Sequence, residues 1–139
     1  MRGVSVGFML MALLWTSPGS AQSTSDRAAI EAVIGAQLQA FAHDDAERAF
    51  GYAAPGIQQQ FGTADYFLTM VERGYPPVYR PRSSRFAGLK VEDGEIVETV
   101  NLIGPDGAAW TALYSMEQQP DGGWKISGCR LVKAEEVGA

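Results

Sequence analysis

The sequence predicts an α+β domain in which three N-terminal helices pack on a four-stranded antiparallel sheet, and three observations carry that prediction. Apolar residues recur at helical spacing through the first half of the chain. After Arg82 the period changes to two, over four segments of strand length. The connections between those segments are short and rich in Gly, Asp and Pro, which accept tight-turn geometry. Helices first and strands afterwards place the helices on one face of the sheet.

The first helix spans Asp26 to His43, where Ile30, Val33, Ile34, Leu38 and Phe41 fall on one face. Ser25 or Asp26 is its expected cap, because a side-chain oxygen there satisfies backbone N–H groups that lack a helical partner. Asp44 and Asp45 read as the cap of a second, short helix through Phe50, broken before Pro55 and Gly56. Gln58, Gln59 and Gln60 read as a polar loop. A third helix begins near Asp65, after Thr63, turns Phe67, Met70 and Val71 inward and ends at Gly74.

The strands are expected over Ser84 to Val91, Glu95 to Ile103, Ala108 to Gln118 and Trp124 to Val132. Glu92-Asp93-Gly94, Gly104 to Gly107 and Gln119 to Gly123 join them, so the sheet is a meander. Alternation in the third strand turns Trp110, Ala112, Tyr114 and Met116 toward the helices. In the last strand Trp124 and Ile126 look inward. The isolated Gly128 then marks a bulge that turns Cys129 and Leu131 inward and Arg130 to solvent.

The chain opens with Met1 and Arg2, an apolar run from Val4 to Trp15, and then Gly19-Ser20-Ala21. The run is short of the ~20 apolar residues that span a bilayer, and small residues stand at the −3 and −1 positions of a cleavage site after Ala21. These features predict a signal peptide over residues 1–21 and a periplasmic or secreted product, free of the membrane once cut. Residues 22–139 are then one domain of 118 residues with net charge −6. Such an acidic chain is a poor nucleic-acid binder. Cys129 is the only cysteine and His43 the only histidine, so neither an internal disulfide nor a ligand-spaced metal cluster is expected. No cofactor is implied.

The connection from Gly74 to Phe86 is the most informative stretch, combining Pro76, Pro77 and Pro81 with Tyr75, Tyr79, Arg80, Arg82 and Arg85. Between Arg73 and Lys90 there are five positive residues and no acid. Two readings stand side by side. The prolines favour extended backbone that presents Tyr75, Tyr79, Arg80 and Arg85 to an anionic ligand, arginine forks being suited to carboxylate or phosphate. Alternatively the prolines stiffen a helix-to-strand joint, and Arg80 or Arg85 pairs with Asp65, Glu72 or a backbone carbonyl. Arg82 is solvent-exposed on either reading. His43 reads as a helix-terminal or surface residue, and Trp110, Tyr114 and Met116 as core first and pocket lining second.

One pattern goes beyond local physics. Gly74-Tyr75-Pro76, Arg80-Pro81 and Arg85-Phe86 are its specific part. It continues through Ala40-Phe41 with Asp44-Asp45, Ala49-Phe50, Pro55, Ile57, Phe61, Met70-Val71, Tyr114, Met116 and the strand Gly123 to Cys129. Over residues 29–132 the chain resembles the bacterial secreted family called domain of unknown function 4864, within the cone-shaped nuclear transport factor 2-like folds.

The resemblance implies a curved sheet with a pocket inside the cone, the Tyr75 to Arg85 connection near its mouth, and a homodimer through the sheet. It implies no activity, since the wider fold hosts both enzymes and non-catalytic modules. Cone enzymes generally set an Asp or His beside a Tyr in the pocket; the inward positions identified above supply Tyr114 but no carboxylate, so no catalytic residue is named. The leading expectation is a non-catalytic domain that binds a small apolar or acidic molecule, or a protein partner, using Tyr75, Tyr79, Arg80, Arg85, Trp110 and Tyr114. An acid–base isomerase or hydrolase is the second reading, and an envelope interaction module the third.

Overall fold

A computed structural model of the chain describes residue 3 and residues 24–134. Apart from residue 3, the expected signal peptide lies outside the described residues. Among the described residues five helices precede four strands: α1 (Ser25–Ala42), α2 (Ala46–Gly51), α3 (Pro55–Phe61), α4 (Ala64–Gly74), α5 (Pro76–Tyr79), β1 (Ser83–Glu92), β2 (Glu95–Ile103), β3 (Ala109–Gln118) and β4 (Trp124–Lys133). The strands form one open antiparallel sheet in the order β1-β2-β3-β4, an α+β architecture consistent with a nuclear transport factor 2-like cone.

Helix α1 forms the central layer over the sheet. Ile30, Ile34, Leu38 and Phe41 bury one stripe, each such side chain contributing ~1.5–3 kcal/mol when fully withdrawn from water. Its cap differs from expectation: Thr24 occupies the N-cap position without a side-chain capping bond, and Ser25 and Asp26 lie inside the first turn. Asp26 there still faces the positive end of the helix dipole. Asp45 caps α2, its carboxylate accepting the Arg48 N–H at 3.1 Å. Thr63 caps α4 in the same way, accepting from the Tyr66 N–H at 3.2 Å.

Two short helices depart from the sequence expectation, both for one reason. Residues 55–61 fold as α3 and residues 76–79 as α5, where a loop and extended backbone were expected. Proline fixes φ near the helical value and lacks an N–H that the first turn would leave unpaired anyway, so Pro55 and Pro76 begin helices instead of ending them. The glutamine run therefore lies in α3, where Gln58 donates to the Phe50 carbonyl at 3.0 Å.

The turns follow their residues. Asp93 and Gly94 both adopt positive φ (51° and 78°), the two-residue hairpin geometry that Asp-Gly favours. The bulge expected in β4 is present: Ser115 pairs with Gly128 and Met116 with Ile126, leaving Ser127 as the extra residue. Beyond it Cys129 and Leu131 pack against the core while Arg130 is exposed. A second bulge, between Phe86 and Gly88 in β1, leaves Ala87 unpaired. Opposite the β3 edge of β4, Ala53 forms a parallel bridge with Ile126, and the Ala54 N–H donates to the Ile126 carbonyl at 2.8 Å. The α2–α3 connection thus covers an edge that would otherwise expose unpaired backbone.

Candidate functional site

The inner face of the sheet and helices α1, α3 and α4 enclose a cavity of about 250 Å³. Its floor is buried: Phe41 and Gln37 from α1, Phe67 and Val71 from α4, Val78 from α5, Tyr114 from β3 and Ile126 from β4. Ile57, Gln60 and Phe61 of α3 and Met70 of α4 are partly or fully exposed and form its mouth. The β4 bulge supplies Ser127, Gly128 and Cys129 to the wall. Among the described residues no charged side chain lines the cavity.

Aromatic rings shape one side of it. Phe67 sits at the centre of a cluster, with ring centroids 6.0 Å from Phe41, 5.4 Å from Phe50 and 5.7 Å from Phe61. Such tilted and edge-to-face pairs hold rings in fixed orientations beyond simple area burial. Gln37, buried among them, donates to the Ala49 carbonyl at 3.1 Å and ties α1 to α2.

Tyr114 is the polar group at the floor. The residue is 1% exposed; its hydroxyl has no partner at ordinary hydrogen-bond geometry and lies against the Cys129 side chain, with which it interacts. Burial holds its pKa well above the usual phenol value, and the neighbouring Cys129 adds to the shift. Burial likewise pushes the Cys129 thiol up to about 12, so both groups stay protonated through the physiological range. A buried thiol of this kind packs as a small apolar group and reacts slowly.

A carboxylate also lies on the inner face. Glu98 of β2, fully buried, is the direct cross-strand partner of Tyr114, which corrects the expectation that inward positions hold no acid. The Gly88 N–H at the β1 bulge donates to its Oε1 at 3.3 Å, while Oε2 has no partner. Burial raises the Glu98 pKa and Glu31 of α1 raises it further, with the Gly88 N–H and Arg27 opposing. Glu98 is absent from the cavity lining, because its side chain is held toward β1 while Tyr114 faces the cavity. The alternation Ile96, Glu98, Val100, Leu102, opposite Met116, Tyr114, Ala112 and Trp110, is the signal that identifies it.

The six residues singled out in the sequence do not converge on one site. Tyr75 and Tyr114 line the cavity. Tyr75 also borders, with Trp110, Pro76 and Pro77, a separate shallow cleft at the base of the sheet. Arg85 is exposed and pairs in register with Asn101, on the sheet face opposite the helices. Arg80 and Tyr79 form a clamp on the end of α1. Arg80 donates to the Phe41 carbonyl, donates to the Tyr79 carbonyl at 3.1 Å and pairs with Asp44 at 3.0 Å. Its guanidinium lies 4.1 Å from the centre of the Tyr79 ring.

Asp44 completes the clamp from a left-handed backbone conformation, φ 52°. It accepts the Tyr79 hydroxyl, the largest cause of its lowered pKa; desolvation opposes the shift, and the hydrogen bond and charge of Arg80 add to it. The same hydrogen bond raises the Tyr79 pKa. A cation on a helix C-terminal carbonyl is favoured by the dipole, so the arrangement fixes α5 and the start of β1 against α1. His43 stands beside it as the C-cap residue of α1, its Nδ1 2.8 Å from the Gln39 carbonyl. Among the described residues no group of three or more His, Cys, Asp or Glu side chains is placed to hold a metal ion.

Among the described residues no helix is long and apolar enough to cross a membrane. No curated protein matches the chain, and no solved structure does. A family model described as a domain of unknown function (DUF4864) matches residues 23–139, which takes in all five helices, the Arg80–Phe41 clamp and the bulged last strand. The chain belongs to the DUF4864 family.

Proposed function

We propose that this is an exported, non-catalytic domain that holds a small molecule in the cavity between its helices and sheet. The composition of that cavity carries the reading: aromatic and aliphatic walls around a few polar groups, chiefly buried Gln37 and Tyr114, with no carboxylate, histidine or low-pKa nucleophile among the described residues of the lining. Ligand sites have this character, apolar with few polar groups that fix orientation. Proton transfer at neutral pH needs a group that titrates near 7, whereas Tyr114 and Cys129 both titrate far above it. Export rests on the leader sequence, with its apolar run and the small residues before the expected cut at Ala21.

The acidic-ligand version finds no cation in this cavity, since Arg80 is engaged by Phe41 and Asp44, while Arg85 lines with Trp110 a separate cleft away from the helices. The acid–base reading has one observation in its favour, the buried Glu98 opposite Tyr114, but its carboxylate is held by β1 and does not reach the cavity. The decisive experiment is to purify the protein from its native host, unfold it, and analyse the released small molecules by mass spectrometry. A stoichiometric compound is expected. A clean extract, together with no change in melting temperature across a fragment set, would sink the proposal.

A further inference from the structure

Resting on that reading, we infer that the ligand presents a hydrogen-bond donor, an O–H or N–H group, to the side-chain oxygen of Gln37 at the floor of the cavity. A buried glutamine has both an amide nitrogen and an amide oxygen to satisfy. Here the protein satisfies the nitrogen.

Gln37 of α1 is 3% exposed and lines the cavity beside Phe41, Phe67 and Val71. Its Nε2 donates to the Ala49 carbonyl at 3.1 Å, and that bond fixes which way the carboxamide points. The reverse orientation would set two oxygens against each other at hydrogen-bonding distance, each an acceptor with nothing to accept. The Gln37 oxygen is therefore turned away from Ala49.

Among the described residues no donor reaches that oxygen, yet it is not one of the sealed polar atoms without a partner, which are Glu98 Oε2 and Tyr114 Oη. It is open to a partner from outside the chain, and the space that Gln37 borders is the cavity. The contrast with Tyr114 is direct: the tyrosine lines the floor, but its hydroxyl is shut in against Cys129. Gln37 is the polar group of the floor that a guest can use. Buried polar atoms are nearly always hydrogen-bonded, and a bound donor would bring this one into line.

The rest of the lining makes the donor selective. Phe41, Phe67, Val71 and Ile126 offer no side-chain acceptor, so a guest's O–H or N–H group gains at Gln37 and is left unpaired against those walls. Ser127, half-buried in the β4 bulge, and Gln60, exposed at the mouth, can each serve as donor or acceptor and impose no such demand. A guest carrying acceptors alone meets the Gln37 oxygen with its own lone pairs.

Para-cresol and anisole are isomers built on one ring that differ in whether the oxygen carries a proton, and they test the inference. Ligand-observed NMR on the full chain gives both affinities for wild type and for Gln37→Met, while backbone shifts of Phe67 and Val71 locate the guest. Para-cresol is expected to bind about fivefold more tightly than anisole, the worth of one neutral hydrogen bond. It should also move the Gln37 side-chain amide resonance further than anisole does. Gln37→Met should erase or reverse the preference. Because that variant also strips the Ala49 carbonyl of its donor, the wild-type ranking and the Gln37 resonance decide the matter if it does not fold. Equal or tighter binding of anisole, or a para-cresol preference that survives Gln37→Met, overturns the inference while the cavity-binding reading stands. If neither compound shifts Phe67 or Val71, the cavity-binding reading falls and takes the inference with it.

Discussion

Glu98 and Tyr114 face each other across the β2–β3 ladder, and each ends in a buried polar atom without a hydrogen-bond partner. Directly opposed residues on one sheet face normally interact with each other. Here they part, Tyr114 toward the uncharged cavity and Glu98 toward the Gly88 N–H at the β1 bulge. The two side chains therefore make different forecasts.

Glu98→Gln should stabilise the protein at neutral pH. The folded-state pKa of Glu98 is raised, so its contribution is fully present below the unfolded value and is lost as pH rises through the folded one. Gln keeps an oxygen for Gly88 and cannot ionise. Urea unfolding at pH 7.5 should show the variant more stable than wild type, and the difference should shrink at pH 4. A variant less stable at pH 7.5 would mean that Arg27 outweighs burial.

Tyr114→Phe removes a hydroxyl that has lost its hydration and gained in exchange only the Cys129 side chain, a weak partner. We expect a stability gain of about 1 kcal/mol by chemical denaturation. A loss of that size would reveal a partner for the hydroxyl in solution.

Arg80→Ala should lower the melting temperature by roughly 3–8 °C, because the Phe41 carbonyl and the Asp44 carboxylate lose their shared partner. Binding of small molecules in the cavity should not change, since Arg80 is outside its lining. The lowered Asp44 pKa sets the pH window: stability from the clamp is present above the unfolded carboxylate value and is lost as pH falls through the folded one. The gap between Arg80→Ala and wild type should therefore narrow in acid. Intact stability with lost binding would instead make Arg80 a ligand contact.

Phe67→Ala removes the central ring of the aromatic cluster at a residue only 5% exposed, and should cost about 3–5 kcal/mol. That loss approaches the whole stability of many domains of this size. Differential scanning calorimetry should show a broad transition at much lower temperature, or none.

Cys129, with its thiol pushed up to about 12, should resist alkylation in the folded state. At pH 8 the thiolate fraction is about a thousandfold below that of an ordinary cysteine, so iodoacetamide labelling should be slower by a similar factor than in guanidinium. Fast native labelling would mean that β4 opens at its bulge.

Much of the fold was legible because it depends on local preferences. The α1 stripe, the Asp45 and Thr63 caps, the Asp93-Gly94 hairpin and the β4 bulge each follow from a few adjacent residues. Pro55 and Pro76 misled because proline punctuates chains in two ways, and only the residues packed beneath decide whether it opens a helix or extends a loop. The candidate site was harder to read. Tyr114 was identified from strand alternation, whereas Phe61 and Gln60 reach the cavity through α3, a helix that was not expected.

The amino-acid sequence by itself determined the α+β class, the meander order and the family, since periodicity, turn residues and the Gly74 to Phe86 pattern are properties of neighbouring positions. Tertiary structure alone decided which face Glu98 takes and where Arg80 ends. A period of two says that alternate residues share a face, but which face is buried depends on pairing register, and bulges at Ala87 and Ser127 shift it midway along β1 and β4. A long arginine side chain reaches several acceptors. The one it meets is fixed by the docking of α1, whose last carbonyls lie nearly forty positions earlier in the chain and become neighbours only when the core closes.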